Sequence, residues 1–357
     1  MSQLLLAQSY QPGDSSLANG LVQTVDSDYV IAGRIFDFNL PGNSAAAAIR
    51  VAPSGTVIWQ NIYSEAFTVF FKAITQVTDG NLAATGSFFF SEFAGDESIW
   101  AVKLNEAGEK IWEETFGNAQ DEQSDGQDIA ATTDGGFVIV GSFLAKGGNR
   151  SGTRVLKFDA ANRLEWDQRF ETGMAFAIRQ TRDGGYILSG THNIPNSLNS
   201  NPFVLRLDTK GDKLWEQVYT GFEVYVLLDS GIVATETGNF TAVFKSVVME
   251  INDCGEIIWA RQSDALNLGT VTELPGSHPV AGGSLIVNNF DHAYVTALGE
   301  RGLEILWDNT EIAFPSGVTR IIPNKAGLVA ATGYLPININ QSQMFLAVYN
   351  PTRTIVP

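Results

Sequence analysis

Asp134-Gly-Gly-Phe-Val-Ile-Val-Gly141 is a tight turn followed by a short apolar run, and related sequences recur about every fifty residues in this chain of 357 residues. The six further copies are Asp26–Gly33, Asp79–Gly86, Asp183–Gly190, Asp229–Thr235, Ala281–Val287 and Lys325–Gly333. A repeat of this length is typical of a solenoid, a propeller or an array. Because every segment belongs to one series, we expect a single domain over residues 1–357.

The third copy shows how each unit is built. Its predicted strands are Gln127–Thr133, Phe137–Phe143, Thr153–Phe158 and Arg163–Phe170, separated by turns of residue types that tolerate a positive φ. The runs are rich in β-branched and aromatic residues, and no helical periodicity is present. Four antiparallel strands per unit, repeated seven times, predict an all-β, seven-bladed β-propeller.

The tryptophans provide a second count of the units. Six of them each begin the last strand of a unit, namely Trp59, Trp112, Trp166, Trp215, Trp259 and Trp307. The seventh such strand is missing from the C-terminal unit, while Leu4–Tyr10 aligns with Ile58–Tyr63. We therefore predict that residues 3–10 form the outer strand of the last blade and close the ring, which removes an exposed sheet edge.

We interpret the repeated tryptophans as packing groups between blades, because a buried indole contributes a large apolar area and its N–H needs one partner. Stacking against sugars is the alternative. Trp100 lies outside the series, in a third strand, and a core position is favoured for it.

The pattern Asp-Gly-Gly-(Tyr/Phe)-(Val/Ile)-x-x-Gly, followed by Leu-Asp-x-x-Gly-x-x-x-Trp, resembles bacterial propeller repeats of uncharacterised secreted or surface proteins. Asp183–Gly190 and Leu207–Trp215 are its clearest copies. The second half also resembles the tryptophan-docking motif of quinoprotein propellers. This resemblance covers nearly the whole chain and implies a scaffold, whereas function depends on the site that the scaffold carries.

The charge of −17 argues against a nucleic-acid partner and against anionic membranes, since both require clustered Lys and Arg. No apolar run is long enough to span a membrane, so no membrane insertion is expected. The first basic residue is Arg34, which does not match the charged start of a signal peptide. The sole cysteine, Cys254, lies in a predicted turn. The compartment and the oligomeric state are left open.

The loop lengths indicate which face of the ring carries a site. The turns between first and second strands, and between third and fourth strands, are short and uniform, and they share one face. The loops between second and third strands and the connections between blades vary in length and share the other face. Because binding residues concentrate on variable loops held by a rigid scaffold, we place the site on this second face, hereafter the variable face.

Three groups of residues on the variable face are candidates. An aromatic cluster comprises Phe88, Phe90 and Phe93, which suits either the core or a hydrophobic partner. A polar loop carries His192, Asn193, Asn196, Asn199 and Asn201, which suit sugar hydroxyls. An acidic connection between the second and third blades carries Asp121, Asp125 and Asp128, which could bind Ca²⁺, although a solvated acidic loop is favoured.

Basic residues recur near the end of the third strand, at Arg50, Lys103, Lys157 and Arg206. We expect them to pair across strands with acids such as Glu113, Asp167 and Glu216. A basic ring that binds anions is the alternative.

No nucleophile elbow, metal-ligand spacing of histidines or phosphate loop is present in the sequence. We therefore predict a non-catalytic module without a cofactor, which binds a protein or a glycan through the variable face. The alternative is a carbohydrate-active hydrolase or lyase that uses carboxylates at the mouth of the channel.

Overall fold

A computed structural model of the protein describes residues 3–64, 67–91, 96–117, 122–148, 150–195, 197–225, 230–263, 266–274, 279–287, 290–298, 305–307, 317–338 and 341–350. These residues form seven four-stranded antiparallel sheets arranged as the blades of a ring. The described residues include no helix long and apolar enough to cross a bilayer. The predicted all-β, seven-bladed propeller is confirmed.

Each blade runs from an inner strand to an outer strand in chain order, except in blade 7. The strands of blades 1 to 3 are β2 Ser15–Gln23, β3 Tyr29–Phe36, β4 Ser44–Val51, β5 Val57–Tyr63, β6 Thr68–Gln76, β7 Leu82–Phe89, β8 Glu97–Leu104, β9 Lys110–Phe116, β10 Glu122–Ala131, β11 Phe137–Ala145, β12 Ser151–Phe158 and β13 Leu164–Phe170. A 3-10 turn at Pro41–Asn43 precedes β4.

The remaining blades follow the same order. Their strands are β14 Met174–Gln180, β15 Tyr186–Asn193, β16 Asn199–Leu207, β17 Lys213–Val218, β19 Gly231–Ala234, β20 Phe240–Phe244, β21 Val247–Ile251, β22 Ile257–Gln262, β23 Leu266–Glu273, β24 Pro279–Val287, β25 Phe290–Leu298, β26 Ile305–Trp307, β27 Gly317–Pro323, β28 Val329–Asn338 and β29 Gln341–Asn350. A two-residue strand, β18 Val224–Tyr225, adds to blade 4 by pairing with β16.

The N-terminal strand β1, Gln3–Tyr10, completes blade 7 by pairing antiparallel with β29. The predicted closure of the ring is therefore confirmed. The ring is also joined at its inner strands, where the Thr319 hydroxyl donates to the Ala18 carbonyl at 2.6 Å. Tyr10 is buried and donates its hydroxyl to the Gly55 carbonyl of blade 1 at 2.9 Å. Because β1 bonds to β29 of its own blade and to Gly55 of blade 1, it belongs to the ring as the other outer strands do.

The five tryptophans of the series whose side chains are described pack between blades, as expected. The Trp59 ring in blade 1 lies against Gly108 in the turn of blade 2, and its indole N–H donates to the Glu106 carbonyl at 2.8 Å. Trp100 is a core residue that stacks on Phe71 with ring centroids 4.9 Å apart. Cys254 is exposed in the turn between β21 and β22.

The recurring basic residues pair differently from the prediction. Lys103 bonds Asp79 at 2.7 Å, and Arg206 bonds Asp183 at 2.6 Å. In each case the partner is the aspartate of the turn between the first and second strands of the same blade. The predicted partners have other contacts, such as that of Glu216 with Lys213. The named pairs were wrong because the turn lies beside the end of the third strand, although Lys157 also bonds Glu165 across the strands at 2.9 Å.

In two of the weaker repeat copies, the sequence pattern predicted the turn between the first and second strands at a segment that the structure places in a strand. In blade 5, the run that begins at Asp229 contains the inner strand β19, and the turn equivalent to Asp134–Gly136 is centred on Thr237. In blade 6, Gly282 and Gly283 lie within β24 rather than in the turn before it. Both errors arise because glycine in or beside a strand, at Gly231 and at Gly282-Gly283, resembles a turn when only the sequence is read.

Asp183 offers a test of the turn pairs by pH. Hydrogen bonding to Arg206 lowers the pKa of Asp183 to about 2, below its usual value of about 3.9. Because the pKa is lower in the folded protein, the pair stabilises the fold above about pH 4 and ceases to do so as the pH falls towards 2. The side chain of Asp183 is 62% exposed, so we expect Asp183→Asn to cost only about 0.5–1 kcal/mol at pH 7. Thermal unfolding of both proteins should give curves that converge at about pH 2; a constant difference would contradict the pairing.

Candidate binding site at the channel mouth

The glycine that ends each repeat shapes the wall of the central channel. A Cβ atom built on Gly33 would lie 2.0 Å from the carbonyl oxygen of Leu17, and one on Gly86 would lie 1.9 Å from that of Phe70. No side chain fits at that distance, so the inner strand can approach its neighbour closely there. The register of the inner strand shifts at the same point, between Ala18 and Gly20 in blade 1. The extra residue of such a bulge points away from the regular pairing.

The bulge occurs at the same distance from the repeat glycine in six of the seven blades. Six blades have a glycine at this point, and the extra residue of the inner strand lies fourteen positions before it, as with Asn19 and Gly33. In blade 5 Phe244 replaces the glycine, and Ser230 is fourteen positions before it. The seven residues are Asn19, Lys72, Gln127, Phe176, Ser230, Gly269 and Thr319.

These seven residues line one cavity of about 300 Å³, to which every blade contributes one of them. Leu17, Arg34, Phe70 and Arg320 complete its described wall. Leu17 and Phe70 lie towards the start of their strands, so the cavity opens on the variable face. The variable face thus carries a cavity at the mouth of the channel, and its lining residues were not identified from the sequence. The fixed offset of fourteen residues was the signal that could have revealed them.

An ion pair across the channel forms the floor of this cavity. Arg320 of blade 7 bonds the Asp128 carboxylate of blade 3 at 2.9 Å, and Arg179 of blade 4 bonds its other oxygen at 2.5 Å. The backbone N–H of Ile178 also donates to Asp128 at 3.1 Å. Blades 7 and 3 are three positions apart in the ring, so the Arg320–Asp128 bond spans the channel and obstructs it.

Asp128 is charged in spite of its burial. Its side chain is 1% exposed, and this burial alone would raise the pKa. The positive charges of Arg320 and Arg179 outweigh it, and the pKa of Asp128 lies below its usual value. Asp128 and Arg320 occupy the first position after the bulge, where blades 1, 2 and 4 have Gly20, Ala73 and Ala177. The floor therefore depends on two long or charged residues at positions that are small elsewhere.

Arg34 is the cation of the mouth that has no carboxylate partner in the described part of the chain. It donates from Nε to the Ser44 hydroxyl at 2.7 Å. Its guanidinium lies 4.4 Å from the ring centroid of Phe36 and 5.0 Å from that of Phe70. Two aromatic rings thus hold the guanidinium in place while leaving its terminal nitrogens available to a ligand.

Two carboxylates lie near the mouth but outside the described lining. Asp125 bonds Lys72 at 2.7 Å and Gln127 at 2.6 Å, and it also accepts a short hydrogen bond from Ser142. Burial is the main cause that raises the pKa of Glu97, and the nearby charge of Asp125 adds to it. A buried acid beside a second carboxylate is an arrangement that hydrolases use, which is relevant to the alternative function.

The acidic connection predicted between blades 2 and 3 is a strand instead. Glu122–Ala131 forms β10, so Asp125 and Asp128 project from an inner strand rather than from a loop. The prediction was wrong because the polar sequence Glu122–Asp128 lacks the apolar alternation that marks a strand. Asp125 and Asp128 are neutralised by partners on other blades, and Glu122 by Arg154 and Arg169 of its own blade.

The predicted metal site has not come together among the described residues, where no group of three His, Cys, Asp or Glu side chains is placed to hold an ion. Asp121 lies outside the described residues. Asp125 and Asp128 both bond cationic side chains. Calcium binding here stays a prediction.

The predicted aromatic cluster lies on blade 2. Phe88 is half-buried against Trp100, with ring centroids 6.1 Å apart. Phe90 packs on Phe88 at 4.7 Å and is 53% exposed. Phe93 lies outside the described residues. Neither Phe88 nor Phe90 lines the described channel mouth.

The predicted polar loop lies on blade 4 and is shorter than expected, since β15 extends to Asn193 and β16 begins at Asn199. His192 pairs with Asn201 across the two strands. Asn199 donates to the Glu223 carboxylate at 2.9 Å, and Asn193 accepts from Ser200 at 3.2 Å. Asn196 lies outside the described residues. This group and the aromatic cluster are on different blades, so they are separate features of the variable face.

Comparison with known proteins gives a consistent result. No family model matches the chain, and no curated protein matches it. Solved structures do match. The chain is similar to the Dos1 propeller, with 11% identity, a TM-score of 0.59, and coverage of 98% of this chain and 96% of the other.

Two glycosidase structures are similar over the whole chain. An α-L-arabinanase from Penicillium chrysogenum has 10% identity and a TM-score of 0.59, with 98% of this chain and 99% of that chain covered. An α-L-arabinofuranosidase from Fusarium graminearum has 8% identity and a TM-score of 0.58, with 97% of each chain covered. At such low identities the similarity concerns the fold alone. The comparisons therefore support the β-propeller architecture of this chain.

Proposed function

We propose that the protein is a non-catalytic binding module whose channel mouth binds an acidic saccharide. The observation that carries the proposal is the composition of the mouth, where the described lining contains three cations and no carboxylate in a protein of charge −17. The three cations are Arg34, Lys72 and Arg320. Because Lys72 bonds Asp125 and Arg320 bonds Asp128, Arg34 supplies the positive charge that no described carboxylate neutralises, and this charge attracts anions to the mouth.

The rest of the lining suits a sugar. Asn19, Gln127, Ser230 and Thr319 each bond within the protein and retain further amide or hydroxyl capacity for sugar hydroxyls. Phe70 and Phe176 offer apolar faces to the C–H groups of a pyranose ring. The volume of about 300 Å³ is at the lower end of small-ligand sites, which usually measure about 300–1,000 Å³. The Arg320–Asp128 ion pair closes the floor of the cavity. The site therefore favours the terminal residue of a saccharide chain over an internal residue.

Arg34 provides the decisive variant. We expect the protein to bind oligogalacturonates or glucuronate more tightly than the corresponding neutral sugars in isothermal titration calorimetry. Arg34→Ala should weaken binding of the acid at least tenfold, because a hydrogen bond to a charged group contributes about 1.5–3 kcal/mol. Added salt should weaken binding of the acid and leave neutral sugars unaffected.

Arg163→Ala is the matched control, since Arg163 is 80% exposed and bonds Asp159 within a turn on the opposite face. It should bind as the unaltered protein does. Equal affinity for acidic and neutral sugars, or no effect of Arg34→Ala, would refute the proposal.

A glycan hydrolase is the second candidate, favoured by the raised pKa of Glu97 beside Asp125. In that case Glu97 would act as the general acid. Release of reducing sugar that Glu97→Gln abolishes would establish the hydrolase in place of the binding module. The binding module predicts no release by either protein and unchanged affinity in the variant.

A further inference from the structure

The contact between neighbouring blades contains a repeated seat for an indole ring. In three described contacts a tryptophan of one blade lies against a positive-φ glycine in the turn between third and fourth strands of the next blade. The pairs are Trp59 with Gly108, Trp166 with Gly211, and Trp215 with Gly255. A Cβ built on any of these glycines would lie 2.8–3.0 Å from the indole, so the ring fits only because the side chain is absent.

Such an indole site, hereafter the seat, is also bounded by a backbone carbonyl that accepts the indole N–H and by an aromatic side chain. The indole N–H of Trp59 donates to the carbonyl of Glu106 at 2.8 Å, and that of Trp215 donates to the carbonyl of Asp253 at 3.0 Å. In both cases the acceptor lies two residues before the glycine. An aromatic residue at the start of the next blade's second strand meets the indole edge-on, as Tyr186 meets Trp166 with centroids 5.6 Å apart.

The contact between blades 7 and 1 has the same glycine, carbonyl and aromatic positions as the other contacts, but it has no tryptophan. Leu6 pairs with Val348 as Trp59 pairs with Arg50, so Leu6 occupies the tryptophan position of the outer strand. Gly55 has φ +85° and faces it, and Tyr29 begins the second strand of blade 1. The equivalent carbonyl is that of Pro53, to which no described group donates a hydrogen bond.

The shorter side chain leaves space. A cavity of about 580 Å³ opens at this contact on the face of the uniform turns. Leu6, Tyr29, Pro53, Ser54 and Val348 line it, and Lys325 lies at its edge. Val348 also replaces the cation that Lys103, Lys157 and Arg206 supply in other blades, which makes this cavity more apolar than its counterparts.

We propose that this cavity, hereafter the seam cavity, binds a small molecule that contains an indole ring with a free N–H. The ring would lie beside Tyr29 and against Leu6, which packs on Gly55, and its N–H would donate to the Pro53 carbonyl. The ligand class follows from the chain itself, because the same walls enclose the protein's own indoles at other contacts. The site is on the opposite face from the channel mouth and does not depend on the proposed saccharide function.

Binding of 5-fluoroindole, observed by ¹⁹F NMR on the full chain, tests the proposal. We expect saturable binding to the unaltered protein and weaker binding of 1-methylindole, by about 3- to 10-fold, because the methyl group removes the donor. Leu6→Trp should abolish binding by filling the seam cavity with the side chain that other blades carry. It should also raise Tm by about 2–4 °C.

Leu214→Trp is the matched control, because Leu214 is exposed on an outer strand next to the occupied seat of Trp215. It should bind 5-fluoroindole as the unaltered protein does. Leu6→Phe is a smaller change that should weaken binding if Leu6→Trp folds poorly. Absence of saturable binding, or equal binding by the Leu6 variants and the unaltered protein, would overturn the assignment.

Discussion

A chain that lacks residues 1–10 should unfold at a markedly lower temperature than the full chain. The truncation removes β1, which leaves β29 as an unpaired edge and breaks the contact between blades 7 and 1. Loss of the buried Tyr10 alone should cost about 3–5 kcal/mol, the range for deleting a large aromatic side chain. The loss of the β1–β29 hydrogen bonds adds to this. Thermal unfolding followed by circular dichroism measures the effect, and increased proteolysis of blade 7 should accompany it.

Two point variants separate the role of ring closure from that of single side chains. Gln8→Ala changes an exposed residue of the same strand and should cost less than about 0.5 kcal/mol. Tyr10→Phe removes only the hydrogen bond to the Gly55 carbonyl and should cost about 1 kcal/mol. If the truncated chain unfolded at the temperature of the full chain, β1 would not be the closing strand.

Asp128→Ala should be the most damaging single substitution in the channel. It leaves Arg179 and Arg320 facing each other without the carboxylate that both bond. Removing one partner of a buried ion pair costs about 3–5 kcal/mol, because the remaining charge is neither solvated nor paired. Urea unfolding of the variant and the unaltered protein measures this difference.

Asp183→Asn provides the matched control, since Asp183 also bonds an arginine but is 62% exposed. Its cost should be several times smaller. The combined replacement of Asp128 by Leu and of Arg179 and Arg320 by Met should recover most of the lost stability, because no charge is then left buried. A small effect of Asp128→Ala, or no recovery in the triple variant, would contradict a central role for the ion pairs of Asp128 with Arg179 and Arg320.

The contribution of Asp128 should also depend on pH. Its pKa is lower in the folded protein than in the unfolded chain, so it stabilises the fold above the unfolded value of about 3.9. That stabilisation is lost as the pH falls through the lower folded value. The difference in stability between Asp128→Asn and the unaltered protein should therefore shrink as the pH falls below about 4.

The resemblance among repeats predicted most of the architecture because each copy carries its own turn chemistry. Asp134-Gly-Gly and Asp183-Gly-Gly tolerate the positive φ that their hairpins require, as seen at Gly135 and Gly184. Where this chemistry is weaker, in blades 5 and 6, the alignment of the repeat was displaced. Local signals of this kind are read correctly only where they are strong.

The lining of the channel was harder to predict because it depends on the bulge and not on the pattern of apolar residues. Asn19 and Lys72 have nothing in common as side chains, yet they occupy the same position in successive blades. Their equivalence follows from the spacing to Gly33 and Gly86. A pattern search for chemically similar residues therefore passes over the site.

The amino-acid sequence by itself determined the number of blades, the four strands in each and the use of residues 3–10 as the closing strand. These features come from periodic turns and apolar runs, which act over short distances along the chain. Only the tertiary structure decided that Asp128 meets Arg320, which is 192 residues away, and that the seat beside Leu6 is open. Closing the ring brings residues from distant blades together, and no local pattern records which side chains will face one another there.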